Sequence, residues 1–288
     1  MGRNRTFLVT GGGGQLGKAF ARLLPGAHVL DRSALDISDP DAVKRTMEKV
    51  RPDYLINAAA YTAVDRAEQE PDEAHRINVR AVIGLAKAAK DAGAQLVHFS
   101  SDYVYKGDRP GGYLENDRTV PLSTYGRTKL QGEVAARSAG ARTLILRTSW
   151  VFGQGNNFVR SIVAAAGKRD ELQVVDDQRG RPTYAPDLAE GVLALLDAGA
   201  DGLYNLTGGG KVASWADVAE TAIEAAGLKT TVQRVTTEQY YASKTGPIAG
   251  RPLNSELDCS RAGQLGVTLR PWEEAVSEFV AELMEGLD

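Results

Sequence analysis

The sequence predicts an α/β protein built on a doubly wound parallel sheet, followed by a smaller C-terminal lobe. Short β-branched or aliphatic runs alternate with stretches of helical period, a glycine-rich turn directly follows the first run, and the alternation loosens beyond about Trp150. The strand-like runs are Thr6 to Thr10, His28 to Asp31, Tyr54 to Asn57, Gln95 to Ser100 and Thr143 to Arg147, with helical patterns such as Gln15 to Leu24 and Ala74 to Ala92 between them. Later, Gly208-Gly209-Gly210 and a polar stretch from Thr230 to Asn254 interrupt the pattern and strands grow sparse. The expected division is therefore a cofactor-binding domain over residues 1–150. Residues 151–288 would form mainly a substrate-binding lobe, with some segments returning to the main sheet.

Composition limits the functions available. A chain of 288 residues with 43% hydrophobic and 25% charged residues is ordinary globular material, long enough for one large α/β unit or two closely joined domains. A formal net charge of −3 supplies no general basic field, so neither nucleic acid nor an anionic membrane is an expected partner, and an anionic ligand must be held locally. Cys259 is the single cysteine and there are three histidines, so neither an intrachain disulfide nor a metal site is expected, and a reducing, cytoplasmic setting fits. No apolar run reaches the ~18 residues of a membrane span. Met1 to Arg5 runs into the first strand without a signal-peptide pattern, so the mature chain is expected to begin near Met1.

The turn after the first strand reads Thr10-Gly11-Gly12-Gly13-Gly14-Gln15-Leu16-Gly17 and continues as a helix. Gly11, Gly14 and Gly17 permit a tight turn and close backbone approach to a pyrophosphate, while the helix N-terminus offers free amide donors. This is a Rossmann-type dinucleotide loop. Asp31 ends the second strand about twenty positions past Gly11, where a carboxylate can accept from the adenosine ribose hydroxyls. Arg32 beside it is a candidate partner for a 2′-phosphate, so both NADPH and NADH are plausible cofactors.

Tyr125 and Lys129 stand at i and i+4, on one face of the helix expected after Pro121. A phenol is a poor acid-base group at neutral pH, and the ammonium is expected to favour its ionised form. Ser101 falls at the carboxyl end of the Gln95 to Ser100 strand, where ligands of open α/β sheets bind, so its hydroxyl would meet Tyr125 across the crevice. Ser101, Tyr125 and Lys129 are the candidate catalytic set. Trp150, after another strand end, would give an apolar wall for a ligand, and Arg251 a planar fork for an anionic group such as a diphosphate, against the alternatives of a core tryptophan and a surface ion pair.

With these motifs the chain resembles the extended short-chain dehydrogenase/reductase family, and within it the dTDP-4-dehydrorhamnose reductases. The likeness spans nearly the whole sequence. It is carried by Gly13-Gly14-Gln15-Leu16-Gly17, Ala34-Leu35-Asp36-Ile37, Asn57 to Asp65, Ser101 to Tyr105, Thr148 to Val151, Gly155-Asn156-Asn157-Phe158 and Arg251 to Ser255. The resemblance implies that Gly14, Gln15, Leu16, Asp31, Asp36, Ile37, Ala58, Ala59, Ala60, Tyr61 and Thr62 line the cofactor, with Tyr125 and Lys129 at the nicotinamide ribose. It also implies contacts from Ser101, Asp102, Tyr103, Trp150 and Asn157 to a nucleotide sugar. Family members commonly carry threonine where this chain has Ser101. The activity implied is reduction of the C4 keto group of dTDP-4-dehydro-L-rhamnose by NADPH or NADH, in a monomer or homodimer.

Sugar-nucleotide dehydratases of this fold carry an Asp-Glu pair after the strand-ending threonine; here Asp102 is followed by Tyr103. Epimerase-reductases use an acid-base pair, usually Cys and His, and Cys259 lies far from where it would fall. Another reductase or epimerase of the family, or a cofactor-binding regulatory subunit without turnover, are the alternatives to a plain reductase.

Overall fold

The computed structural model describes residues 5–242 and 244–285. The chain runs β1 (Phe7–Thr10), α1 (Gln15–Leu23), β2 (His28–Leu30), α2 (Pro40–Val50) and β3 (Tyr54–Asn57). A helical stretch follows in three parts, α3 (Pro71–His75), a π-helical turn over Arg76–Arg80 and α4 (Ala81–Ala92), and then β4 (Gln95–Ser101), α5 (Thr124–Ser138) and β5 (Thr143–Thr148). Beyond it come β6 (Val151–Phe152), α6 (Phe158–Ala166), β7 (Glu171–Val175), β8 (Arg179–Gly180), β9 (Thr183–Tyr184), α7 (Ala185–Asp197) and β10 (Gly202–Asn205). The last elements are β11 (Ala213–Ser214), α8 (Trp215–Ala225), β12 (Thr231–Val235), α9 (Thr237–Tyr241), α10 (Ser260–Gly263) and α11 (Trp272–Glu285).

Six strands form a parallel sheet in the order β10-β5-β4-β3-β1-β2. Every residue of β4 and β5 is buried, with Leu96-Val97 and Leu144-Ile145-Leu146 as their apolar centres. Successive side chains leave opposite faces. Val9, Ile56, Val97 and Leu144 meet Phe20 of α1 and Leu188 and Val192 of α7 on one side. Leu8, Leu55, Leu96 and Ile145 meet Met47 of α2, Leu85 of α4 and Ala136 of α5 on the other. Each such side chain contributes roughly 1.5–3 kcal/mol, and truncating one, Leu96→Ala for instance, costs about 2–5 kcal/mol because the cavity collapses only in part.

The chain reverses its winding between β1 and β3, so the crevice for a ligand opens above their carboxyl ends. There the loop after β1 meets the segment after β3: a Cβ on Gly11, whose φ is +76°, would stand 2.6 Å from the Ala59 nitrogen. Backbone contact that close tolerates only glycine.

The later segments contribute in two ways. β10 pairs with β5 at the edge of the main sheet, with Gly202 opposite Leu144. Helices α6, α8 and α11 gather a second core around Phe152, Trp272 and Phe279. The polar stretch from Thr230 holds a strand after all, because β12 pairs in parallel with β7. With no fully buried residue in β12, its apolar pattern is too weak to read from sequence. Likewise, β2 stops at Leu30 and leaves Asp31 in a turn, while Ala74 to Ala92 is broken by the π turn rather than continuous. Among the described residues no helix is long and apolar enough to cross a membrane.

Candidate active site

Two adjoining clefts open at the carboxyl ends of the central strands and share Gly13, Gly14, Ala58 and Ala60. One, of about 700 Å³, runs past Arg32, Asp36, Ile37, Ala59 and Tyr61; the other, of about 570 Å³, is walled by Gln15, Ser101, Asp102, Tyr125, Lys129 and Trp150. Together they make a groove that passes the glycine loop, as an extended dinucleotide requires. The loop fits the group: a Cβ on Gly13 would meet nothing nearer than 3.8 Å within the protein, so that space is left to a ligand. Gly17 has a different reason, since its Cβ would stand 2.2 Å from the Gly11 carbonyl oxygen. It lets α1 start against the turn and lines neither cleft. A larger depression of about 770 Å³ lies between α1, α7 and Gly266 to Arg270, but its Arg270 is already paired with Asp187 and Glu278.

In the first cleft Asp31 differs from expectation. Its Oδ1 accepts from the Ser33 and Ala34 nitrogens at 2.9 and 3.0 Å and from the Ser33 hydroxyl at 2.6 Å, so this oxygen holds the turn, and Asp31 does not line the cleft. Asp36 is built the same way through Ser38 but does line the cleft. Arg32 reaches over it with a largely exposed side chain, Nη2 3.9 Å from Glu73 Oε1. Arg66 lines it too, tied by Nε at 2.8 Å to Glu70, which also accepts from the Tyr61 hydroxyl at 2.8 Å.

The second cleft is shaped by α5. Ser123 caps this helix by accepting from Gly126 N, and the helix comes close to its neighbours because Gly126 and Gly132 carry no side chain. A Cβ at either would stand 2.3 and 2.4 Å from the carbonyls of Tyr103 and Asn78. Asn78, projected inward by the π turn, bonds both backbone polar groups of Tyr61 and the Thr128 hydroxyl, and so ties the segment after β3 to α5. Lys129 and Tyr125 are thereby set against β4.

The Lys129 ammonium donates to the Phe99 carbonyl at 2.6 Å. Burial brings it down to about 8, against the opposing charge of Glu133. Tyr125 departs from expectation: burial pushes it up to about 12, the Asp102 charge adds to this and the Ser101 hydroxyl opposes it. Desolvation of the phenolate outweighs any help from a lysine that is turned toward a carbonyl. Tyr125 is therefore a protonated phenol at neutral pH.

Ser101 Oγ donates to Asp102 Oδ1 at 2.8 Å and accepts from Tyr103 N at 3.2 Å. Asp102 is 2% exposed, and burial raises its carboxyl to about 6. The hydroxyls of Ser255 and Ser101 favour the anion, though only Ser101 meets hydrogen-bond geometry, and Oδ2 has no partner. Tyr103 packs edge-on against Tyr125, ring centroids 5.4 Å apart. Trp150 sits in the left-handed region at φ 49°, a conformation that costs a bulky residue on the order of 1–3 kcal/mol and so marks an imposed position. Its ring stacks on Trp215 at 3.8 Å, and both line the cleft.

Two expected ligand contacts are not brought there. Asn157 caps α6 by accepting from Arg160 N, and its amide donates to the Gly153 and Gly155 carbonyls at 2.7 and 3.1 Å; its neighbour Asn156 lines the cleft instead. Arg251 is held by Asp65, Nη2 to Oδ2 2.7 Å, and by the Ala249 carbonyl at 2.9 Å, outside both clefts. A guanidinium with 14% of its side chain exposed needs a counter-charge within the protein, and Asp65 provides it. Sequence reading also missed Arg66, Asn78, Thr148 and Trp215. Only Thr148 carries a sequence signal, since it opens the Thr148 to Val151 stretch that bears the family likeness. Among the described residues no group of three or more His, Cys, Asp or Glu converges as a metal site.

A doubly wound sheet whose glycine-loop groove opens onto a Tyr-x-x-x-Lys helix and a strand-ending serine defines the extended short-chain dehydrogenase/reductase class. Residues 5–285 match the family described as RmlD substrate binding domain, and the chain belongs to it. It is 39% identical to a dTDP-4-dehydrorhamnose reductase of Sinorhizobium fredii, covering 97% of this chain and 98% of the relative. It is 37% identical to the spore coat polysaccharide biosynthesis protein SpsK of Bacillus subtilis, covering 98% and 99%. The crystal structure of dTDP-4-dehydrorhamnose reductase from Bacillus anthracis in complex with NADP superposes with a TM-score of 0.91 at 35% identity, covering 96% and 99%.

Proposed function

We propose that the chain is an oxidoreductase that reduces the C4 keto group of dTDP-4-dehydro-L-rhamnose to the hydroxyl of dTDP-L-rhamnose, using NADPH or NADH. The observation that carries this reading is the placement of Tyr125 beside Ser101 and Lys129, in a cleft continuous with the glycine-loop groove. The bound nicotinamide supplies hydride. Reduction of a ketone then needs a proton at the developing alkoxide, and a neutral phenol holds one at neutral pH. Lys129 anchors the cofactor ribose as a buried cation. Ser101, whose hydroxyl donates to Asp102, stands beside the phenol and leaves the phenolic proton for the substrate oxygen, and the Asp102 oxygen left without a partner takes a sugar hydroxyl. Trp150 and Trp215 form the apolar wall for the deoxysugar.

Gly11, Gly14, Gln15, Leu16, Asp36, Ile37 and the segment Ala58 to Thr62 are assigned to the cofactor, with Arg32 as a cation for a 2′-phosphate. Residues 1–150 are read as the cofactor domain and 151–288 as mainly the substrate lobe. A nucleotide-sugar substrate, a monomer or homodimer and a cytoplasmic setting complete the reading. Cys259 contacts Thr207 and Leu257 outside the cleft, which disfavours an epimerase role. The test is incubation with dTDP-4-dehydro-L-rhamnose and NADPH or NADH. Cofactor oxidation matched by formation of dTDP-L-rhamnose is expected, and no oxidation with either cofactor would contradict the reading.

A further inference from the structure

Six side-chain polar atoms among the described residues are buried without a hydrogen-bond partner, and three of them, Gln15 Oε1, Asp102 Oδ2 and Thr148 Oγ1, belong to residues lining one cleft. Leaving such an atom unpaired costs about 1–3 kcal/mol, so their convergence marks where ligand atoms belong. Their chemistry differs. Asp102 is joined to Ser101, and its carboxylate, when ionised, only accepts. Gln15 Oε1 is an amide oxygen and accepts; Thr148 Oγ1 donates one proton and also accepts.

Position separates them further. Gln15 opens α1 directly after the glycine loop, and its amide nitrogen is turned away toward the Asn156 carbonyl at 3.4 Å, which leaves Oε1 as its free end. Thr148 ends β5 opposite Ser101 of β4, and parallel partners in register present their side chains on the same face. On β4 and β5 that face is the one that, deeper in, packs Phe99 and Leu146 against the core shared with α1. Thr148 therefore belongs to the cofactor side of the cleft.

An acceptor and a hydroxyl donor on that side complement a primary carboxamide, whose NH2 donates and whose C=O accepts. We infer that Gln15 Oε1 and the Thr148 hydroxyl together seat the nicotinamide carboxamide, fixing the rotation of the ring and hence the face presented to the sugar. This inference rests on the proposed use of the cleft by a nicotinamide cofactor.

The experiment compares equilibrium binding of NADPH with that of 2′-phospho-ADP-ribose, the same dinucleotide without its nicotinamide. Thr148→Val, which keeps the shape and removes the hydroxyl, and Gln15→Met are each expected to weaken NADPH about 5- to 20-fold. Both should leave the fragment's affinity unchanged, which also shows that the loop is folded, and Thr148→Ser should bind NADPH like the parent. Equal weakening of NADPH and fragment, or unchanged NADPH affinity with only a raised KM for the sugar nucleotide, overturns the assignment. If the parent enzyme binds NADPH but does not reduce dTDP-4-dehydro-L-rhamnose, while the variants still lose NADPH selectively, the carboxamide seat stands and the substrate reading falls. A parent that binds the fragment but gains nothing from the nicotinamide overturns the seat.

Discussion

Ser101 gives its only hydroxyl proton to Asp102, Oγ to Oδ1 2.8 Å, inside a pocket that raises the same carboxyl to about 6. Burial thus makes the folded chain hold a proton on the Asp102 carboxyl more tightly than an unfolded chain does, whose Asp titrates near 3.8. Between these values the native state carries more protons than the unfolded state, so this group's contribution to stability falls as pH rises through about 6. Asp102→Asn, which mimics the neutral carboxyl, should stabilise the cofactor-free protein at pH ~8 by about 2–3 kcal/mol, with the gain vanishing toward pH ~4. Denaturant unfolding across this range checks it. A gain independent of pH would contradict the burial argument.

Arg251 and Asp65 form the second relationship that can be tested. The guanidinium is mostly buried and also lies over the Tyr241 ring at 5.0 Å, while the side chain of Asp65 is 43% exposed. Arg251→Ala should lower stability by about 1–3 kcal/mol through lost packing and hydrogen bonds, and Asp65→Asn by less, because water screens the exposed partner. Neither should change the cofactor Kd. A raised KM for the sugar nucleotide with unchanged stability would instead assign Arg251 to the substrate diphosphate.

Cofactor choice should depend on Arg32. Its side chain is 74% exposed and only loosely approached by Glu73, so it is free to meet a 2′-phosphate, whereas one oxygen of Asp31 is occupied by its own turn. Arg32→Ala is expected to weaken NADPH about 5- to 30-fold and NADH hardly at all, the loss of one charge-assisted contact. Equal weakening of the two, measured by titration, would make Arg32 structural.

Much of this architecture can be read from residue order because its signals are local. The β1 run, the glycine turn and the α1 pattern are contiguous, and Tyr125 and Lys129 share a helical face by spacing alone. The family resemblance adds the positions after β3 and β4. What escapes the sequence depends on contacts between distant segments. Trp215 reaches the cleft by stacking on Trp150, and Asn78 turns inward through a π turn that helical periodicity cannot reveal. Arg251 in sequence is an unpaired cation, and only the fold brings Asp65 to it. Asn157 carries a family motif yet spends its side chain on the end of α6. The raised Tyr125 is likewise a matter of burial, which spacing does not encode.

The central claim is that Tyr125 is the proton donor to the substrate oxygen. The most direct measurement is the single-turnover rate of NADPH oxidation with dTDP-4-dehydro-L-rhamnose in Tyr125→Phe, alongside its NADPH Kd. Removal of one hydroxyl from a half-buried ring should leave the Kd within about two-fold and slow turnover by about 10²-fold or more, the scale of general acid catalysis. Turnover near that of the parent enzyme, with NADPH bound normally, would contradict the account.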